Sequence, residues 1–324
     1  MKAPFPYFGG KSTVAGMVWQ RFGDAPNYVE PFFGSGAILL SRPDTHERRS
    51  ETVNDLDGLL ANFWRAVQSD PDTVAKWADW PVNENDLHAR HAWLVGQKES
   101  LRAKLEGDPD YYDAKIAGWW VWGISAWIGG GWCSGKGPWQ QVDGQLIHVG
   151  DRGINRKRIH VGDRGINRQL IHVGGRGTGV HRPNIDLLGM MRQLSDRLRR
   201  VRVACGDWTR IMGTSPTIHQ GLTAVFLDPP YSFAERDNGL YTTESDVSGD
   251  VRQWALEHGD DPLLRIALCG YDGEHEMPAS WDCVKWKAQG GYGGQGSGRG
   301  KENMHRERIW FSRHCLPPLQ QRLL

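Results

Sequence analysis

The feature that most restricts the fold is an apolar run that ends in an acid and two prolines. Residues 223–227 have the composition of a buried strand, and Asp228, Pro229, Pro230 and Tyr231 follow it directly. Proline fixes its own backbone and has no N–H to donate, so a central strand ends where the prolines begin. The chain therefore places a carboxylate at the end of a buried strand, with an aromatic ring beside it.

This arrangement suits chemistry on the amino group of a planar base. An adenine amine is a poor nucleophile because its lone pair is delocalised into the ring. The Asp228 carboxylate and the Pro229 carbonyl could accept its two N–H groups and concentrate the lone pair on nitrogen. Tyr231 would offer a face to the base, which must leave the duplex to be reached. The alternative is a turn that merely ends a strand, where Asp and Pro are common.

A second motif near the N-terminus indicates a nucleoside site. Glu30 and Phe32 are followed by a turn built on Gly34 and Gly36, and Asp55 lies nineteen residues after Gly36. Glycine lets a ligand approach the backbone closely, and an acid at about this spacing can accept hydrogen bonds from ribose hydroxyls. The third glycine of a dinucleotide fingerprint is absent. S-adenosylmethionine fits this pattern, because it has a ribose and an adenine but no pyrophosphate.

Two further segments could complete a cofactor site. In residues 6–11, the Lys11 ammonium could meet a cofactor carboxylate while Tyr7 packs on the cofactor. After a predicted strand at 201–205, the Asp207 carboxylate could accept from an adenine amine, with Trp208 beside it. Taken alone, the first segment is better explained as a solvated lysine and the second as a simple turn.

The alternation of strand and helix patterns predicts an α/β fold with a doubly wound, mostly parallel sheet. Helices are predicted from residue 12, at 37–40, at 58–68, at 184–200 and at 247–258. Seven strands are predicted at 28–32, 52–54, 201–205, 223–227, 264–269, 282–287 and 307–311.

The middle of the chain differs from this pattern. Residues 70–135 show helical spacing without clear strands, which predicts a separate helical subdomain. Within it, residues 116–135 carry no charge and approach the ~20 residues of a membrane span. Three consecutive glycines and five tryptophans favour a buried helix that runs into a loop, with most of the tryptophans in the core. We expect no membrane segment.

A basic repeat follows. The sequence IHVGDRGINR occurs at 147–156 and again at 159–168, and a shortened copy begins at 171. Residues 147–182 hold eight Lys or Arg and two Asp, whereas the whole chain has a net charge of +1. We expect a β-hairpin-like or irregular insertion whose arginines contact DNA phosphates, although guanine edges and an inert duplication are alternatives. The candidate arginines are Arg152, Arg156, Arg158, Arg164, Arg168 and Arg176.

Cysteine and histidine usage argues against a metal or disulfide framework. The five cysteines are scattered and form no CxxC pair, which favours a reducing cytoplasm. The histidines of the repeat show no paired metal-ligand spacing, so no metal is expected. The N-terminal residues lack the apolar core of a signal peptide.

In their order along the chain, these motifs resemble those of the Dam-like (D12 class) N6-adenine DNA methyltransferases. The resemblance spans about 1–68 and 184–312, and it includes a Gly-rich loop near 290 and a final strand. It implies a seven-stranded, Rossmann-like methyltransferase sheet, S-adenosylmethionine as cofactor and double-stranded DNA as partner. It assigns catalysis to Asp228, Pro229, Pro230 and Tyr231. It assigns the cofactor to Tyr7, Phe8, Gly9, Lys11, Glu30, Phe32, Gly34, Gly36, Asp55, Asp207, Trp208 and Asp228.

The resemblance also implies a domain division and leaves some questions open. Residues 1–68 and 184–315 would form the catalytic domain, and the inserted residues 69–183 would recognise the target. The insertion departs from the family's usual recognition region, so base-reading residues cannot be carried over. Direct methyl transfer to adenine N6 is expected; cytosine N4, an RNA base and a catalytically inactive DNA-binding relative are the alternatives. The target sequence, a restriction-modification partner and the oligomeric state stay open.

Overall fold

The protein is built on a seven-stranded, mostly parallel sheet. The computed structural model describes residues 1–7, 10–43, 49–127, 132–133, 139–142, 145–148, 179–181, 185–213, 217–231, 247–287 and 305–318. The sheet strands are β1 Asn27–Glu30, β2 Ser50–Asp55, β5 Val201–Cys205, β6 Thr223–Leu227, β7 Leu264–Tyr271, β8 Asp282–Lys285 and β9 Glu307–Phe311. All seven predicted strands are present, with ends that differ from the prediction by at most two residues.

The strand order places a crevice at the middle of the sheet. The order is β5-β2-β1-β6-β7-β9-β8, and β9 is the one described strand of this sheet that runs against the direction of the others. The chain proceeds from β1 towards β5 on one side and from β6 towards β8 on the other. Ligands of open α/β sheets bind where the order reverses, outside the carboxyl ends of the strands. Here the reversal lies between β1 and β6, which end at Glu30 and next to Asp228.

Several strands of the sheet are buried along their whole length. All residues of β1, β6 and β9 are buried, as expected for strands covered by helices on both faces. The arrangement confirms the predicted α/β class and is consistent with a methyltransferase fold.

Nine α-helices are described: α1 Ala15–Phe22, α2 Ala37–Leu40, α3 Gly58–Ser69, α4 Pro71–Ala78, α5 Glu84–Gly107, α6 Ala114–Ala126, α7 Leu187–Leu198, α8 Thr209–Met212 and α9 Ser248–His258. The starts of several helices are fixed by side-chain caps that accept a backbone N–H two or three residues on. The capping residues are Asp57, Asp70, Asn83, Asp113 and Asp186.

The helices α4 to α6 share the core of the sheet, whereas the sequence pattern predicts a separate helical subdomain. Their apolar side chains belong to the same buried cluster as α1, α3 and β1. The Trp120 ring meets Phe5 edge-on at 4.9 Å and lies 5.7 Å from Phe63. At the start of α6, Asp113 N–H donates to Asn62 Oδ1 at 2.7 Å. The helical periodicity of a sequence does not predict such long-range aromatic contacts.

The described tryptophans of residues 116–135 are mostly core, as predicted. Trp120, Trp122, Trp127 and Trp132 are all buried. In the part of the chain that the structure describes, no helix is long and apolar enough to cross a membrane.

The repeat segment is described only at its start. Strands β3 Trp139–Val142 and β4 Gln145–His148 form an antiparallel hairpin. Ile147 and His148 open the first repeat, so the expected strand is confirmed for these two residues alone. The rest of the repeats, with all six candidate DNA-binding arginines, lies outside the described residues.

Two helical glycines give opposite predictions for stability. A Cβ on Gly118 of α6 would lie 2.3 Å from Trp77 Cβ and 2.8 Å from Val74 O, whereas a Cβ on the exposed Gly96 of α5 would meet nothing. Gly118→Ala should destabilise the fold by about 1–3 kcal/mol because α4 and α6 must separate. Gly96→Ala should stabilise it by about 0.5–1 kcal/mol. Urea denaturation measures both, and changes of the same sign would contradict the close packing of α4 on α6.

Candidate active site

A single cleft collects the four separated motifs. It lies at the carboxyl ends of the central strands and encloses about 880 Å³, including its opening to solvent. The predicted site residues that line it are Tyr7, Lys11, Glu30, Phe32, Gly34, Asp55, Asp207, Trp208, Asp228 and Pro230. Three predicted site residues do not line the cleft: Gly36, Pro229 and Tyr231. Two others, Phe8 and Gly9, lie outside the described residues.

The glycine turn shapes one wall of the cleft. Gly34 and Gly36 have φ angles of 50° and 67°, which other residues rarely adopt. A Cβ on Gly34 would lie 3.1 Å from the Tyr7 ring, and one on Gly36 would lie 2.8 Å from Phe33 Cζ. The Trp64 indole donates to Gly34 O at 3.1 Å. Gly34 therefore borders the cleft, while Gly36 lets the chain turn into α2.

The Asp55 carboxylate is held by the backbone at the end of β2. Gly34 N–H donates to Asp55 Oδ2 at 3.0 Å, and Asp57 N–H donates to Asp55 Oδ1 at 2.9 Å. Burial and the neighbouring Asp57 charge raise the pKa of Asp55 to about 7. A carboxylate oxygen can accept a second hydrogen bond, so this group can still receive ligand hydroxyls.

An aromatic pair and an acid form the far end of the cleft. The Phe32 and Trp208 rings are stacked, with centroids 6.2 Å apart and planes at 28°. Asp207 stands beside them at the end of β5, where its Oδ1 accepts from Thr209 N at 3.0 Å. A planar apolar surface next to a hydrogen-bond acceptor suits a purine ring with an exocyclic amine.

The opposite end of the cleft holds a buried ion pair. Lys11 Nζ lies 2.9 Å from Asp228 Oδ1, with the two side chains 4% and 21% exposed. Lys11 also donates to the Tyr231 hydroxyl at 3.2 Å, and that hydroxyl donates to Glu307 Oε2 at 2.6 Å. Lys11 therefore contacts Asp228 and Tyr231 directly, and its expected contact with a cofactor carboxylate stays a prediction.

Burial and the ion pair have opposite effects on these groups. Burial raises the pKa of the Asp228 carboxyl, and the Lys11 ammonium opposes that rise. Burial alone would lower the pKa of Lys11, but the Asp228 and Glu307 carboxylates outweigh it and raise that pKa. Lys11 is consequently charged at neutral pH and favours the ionised form of Asp228.

The comparison with known families agrees with this geometry. Residues 7–92 match the family model of the D12 class N6 adenine-specific DNA methyltransferases. The match confirms the family resemblance over the N-terminal motif, the glycine turn and Asp55. It ends before Asp207 and Asp228, which the fold brings into the same cleft. No curated protein matches the chain.

The cleft is rich in acids. Its described lining residues include Glu30, Asp55, Asp57, Asp207 and Asp228, and Lys11 is the one basic residue in that lining. Glu30 accepts from the Tyr28 hydroxyl at 2.8 Å. Its pKa is raised, chiefly by burial and further by Asp228 and Asp55. An excess of carboxylates favours a ligand that carries positive charge.

The D12 motifs do not include several residues that surround Asp228. Cys269 hydrogen-bonds to the Asp228 carboxylate, and burial raises the pKa of this thiol well above its usual range. It therefore stays a neutral donor, unlike a nucleophilic cysteine. Trp286 lies 5.4 Å from Lys11 Nζ, measured to the ring centroid. Among these neighbours of the Asp228 and Lys11 pair, Glu307 had the one signal in the sequence, because it is an acid at the start of an apolar strand.

Tyr231 is held more tightly than the sequence suggested. Its ring is 7% exposed and meets Tyr271 edge-on at 4.3 Å. Its role as a platform for the target base stays a prediction.

Removing Lys11 should destabilise the fold, because its two acidic partners would then be buried without a counter-charge. Burial already raises the folded-state pKa values of Asp228 and Glu307, and in Lys11→Met the loss of their counter-charge raises them further. A folded state that binds more protons loses stability as pH rises. The destabilisation should thus be larger at pH 8 than at pH 5, reaching about 3 kcal/mol. Chemical denaturation at both pH values measures it.

Lys76→Met is the matched control, since Lys76 lies exposed on α4. Its effect should be small and independent of pH. A loss of stability in Lys11→Met that is equal at both pH values would argue against the buried charge cluster.

Proposed function

We propose that the protein transfers a methyl group from S-adenosylmethionine to the N6 atom of adenine in DNA. The observation that carries the proposal is the gathering of four distant motifs in one cleft, with Asp228 held at its end by Lys11. The match to the D12 class over residues 7–92 supports both the acceptor atom and the polymer.

The cleft has groups that fit each part of the cofactor. Asp55 would accept from the ribose hydroxyls, since its oxygens retain acceptor capacity. Phe32 and Trp208 would cover the adenine ring, and Asp207 would accept from its amine. Burial and the charges of Asp228 and Asp55 raise the pKa of Glu30, and the cationic part of the cofactor would favour its ionised form. The bound cofactor supplies an electrophilic methyl group.

The catalytic motif would prepare the adenine amine for attack. The Asp228 carboxylate and the Pro229 carbonyl accept its two N–H groups, so the nitrogen lone pair points at the methyl carbon. Because Lys11 and the Cys269 thiol already orient Asp228, little reorganisation is needed during transfer. Transfer would form the N6–C bond as the S–C bond of the donor breaks, and Asp228 would accept the proton that N6 releases. No covalent enzyme intermediate is required.

DNA binding is proposed for the inserted region. Residues 69–183 would recognise the target, while 1–68 and 184–315 would carry catalysis. The arginines at 152, 156, 158, 164, 168 and 176 would contact phosphates, because identical repeated units suit a repeating backbone better than unique bases.

Labelled methyl transfer tests the proposed reaction. Incubation with labelled S-adenosylmethionine and unmethylated DNA, followed by digestion to nucleosides, should put the label in N6-methyladenosine. Asp228→Ala should lower the transfer rate by about a hundredfold or more, because the acceptor for the amine is lost. Asp196→Ala on the exposed face of α7 is the matched control and should act like the wild type. Label in N4-methylcytosine or in RNA, or no label at all, would refute the proposal.

The raised pKa of Asp55 predicts a pH dependence of cofactor binding. Ribose hydroxyls donate to the ionised carboxylate, and this form is lost as pH falls through about 7. Affinity should therefore decrease below pH 7, by up to about tenfold per pH unit. Calorimetric titration with S-adenosylmethionine from pH 5.5 to 8.5 measures it. Asp55→Asn should bind more weakly and with a flatter profile; parallel profiles would show that Asp55 is not the titrating group.

A further inference from the structure

Glu307 is a buried acid that none of the motifs includes. It begins β9, where it is 4% exposed and pairs across the strands with Tyr271 of β7. A buried carboxylate is costly unless it is hydrogen-bonded and compensated. The hydrogen-bond partners of Glu307 therefore indicate its role.

Those partners connect Glu307 to the catalytic motif. Tyr231 Oη donates to Glu307 Oε2 at 2.6 Å, which is a short, charge-assisted hydrogen bond. The same hydroxyl accepts from Lys11 Nζ at 3.2 Å, and Lys11 pairs with Asp228 at 2.9 Å. The Tyr231 hydroxyl thus donates to Glu307 on one side and accepts from Lys11 on the other. These two bonds fix both the position and the orientation of the hydroxyl.

We infer that Glu307 is a positioning residue for methyl transfer, acting through Tyr231 and Lys11. It fixes the Tyr231 ring beside the Pro-Pro turn, where the target base would arrive. It also shares the positive charge of Lys11 with Asp228, so Lys11 orients Asp228 without fully neutralising it as an acceptor. The inference depends on the proposed function, because the positioned group is the acceptor of the amine.

The alternative is that Glu307 only stabilises the fold. The two roles differ in what Glu307→Gln does. The amide keeps the size of the side chain and an acceptor for the Tyr231 hydroxyl, but it removes the negative charge. The whole Lys11 charge is then left to Asp228, whose oxygens become weaker acceptors. A positioning role predicts slower chemistry with unchanged cofactor binding, whereas a purely structural role predicts lower stability with normal chemistry in the folded fraction.

The test combines single-turnover methyl transfer with cofactor titration in a double-mutant cycle. Glu307→Gln and Tyr231→Phe should each slow transfer by roughly ten- to a hundredfold. Their dissociation constants for S-adenosylmethionine should stay within about twofold of the wild type, since neither residue lines the cofactor cleft. The double variant should be no slower than the slower single variant, because both changes break one linked unit. Glu276→Gln, at an exposed position after β7, is the matched control.

A transfer rate of Glu307→Gln within twofold of the wild type, or multiplied effects in the double variant, would overturn the inference. Failure of the proposed function is a separate outcome, seen as a wild-type protein that puts no label into adenine. In that case, the same cycle followed by urea denaturation tests the Tyr231–Glu307 bond itself. Non-additive midpoints would support the linkage, and additive midpoints would overturn it.

Discussion

The buried ion pair between Lys11 and Asp228 is the interaction on which the site depends. It joins the N-terminal segment to the end of β6, two parts of the chain separated by most of its length. Each charge makes the burial of the other tolerable, because an isolated ammonium or carboxylate would neutralise in such surroundings. The pair also brings Tyr231, Glu307 and Cys269 into one polar cluster around the Asp228 carboxylate. The stability of the fold and the chemistry of the site therefore rest on the same contact.

The sheet explains how such distant residues meet. β1 pairs with β2 on one side and with β6 on the other, so the glycine turn, Asp55 and Asp228 all follow parallel strand ends. Parallel strands bring their carboxyl ends to one edge, and the reversal of strand order opens the crevice there. The motifs contribute side chains of different chemistry: aromatic faces at one end, an ion pair at the other, and carboxylates between them.

Much of this could be predicted from the sequence, for a physical reason. Each strand is a short apolar run bounded by turn residues, and each motif follows such a run directly, so local pattern placed Asp55 and Asp228 correctly. Glu307 and Cys269 were missed because they reach Asp228 only through the pairing of β7 with β6 and β9, which no local pattern encodes. The core shared by α4 to α6 was missed for the same reason, since contacts such as Phe5 with Trp120 depend on tertiary packing.

The position of β1 also has a consequence for how the molecule is made. During synthesis, β2 emerges soon after β1 and can pair with one edge of it. The partner for the other edge of β1 is β6, residues 223–227. That edge must stay unpaired while the whole insertion is translated, so the sheet is completed late and through contacts of high sequence separation. Until then Lys11 has no Asp228 to contact, and the cleft is incomplete. A ribosome-bound chain that ends within the repeats would lack the centre of its own sheet, and it would depend on chaperones or on rapid elongation to protect the exposed edge.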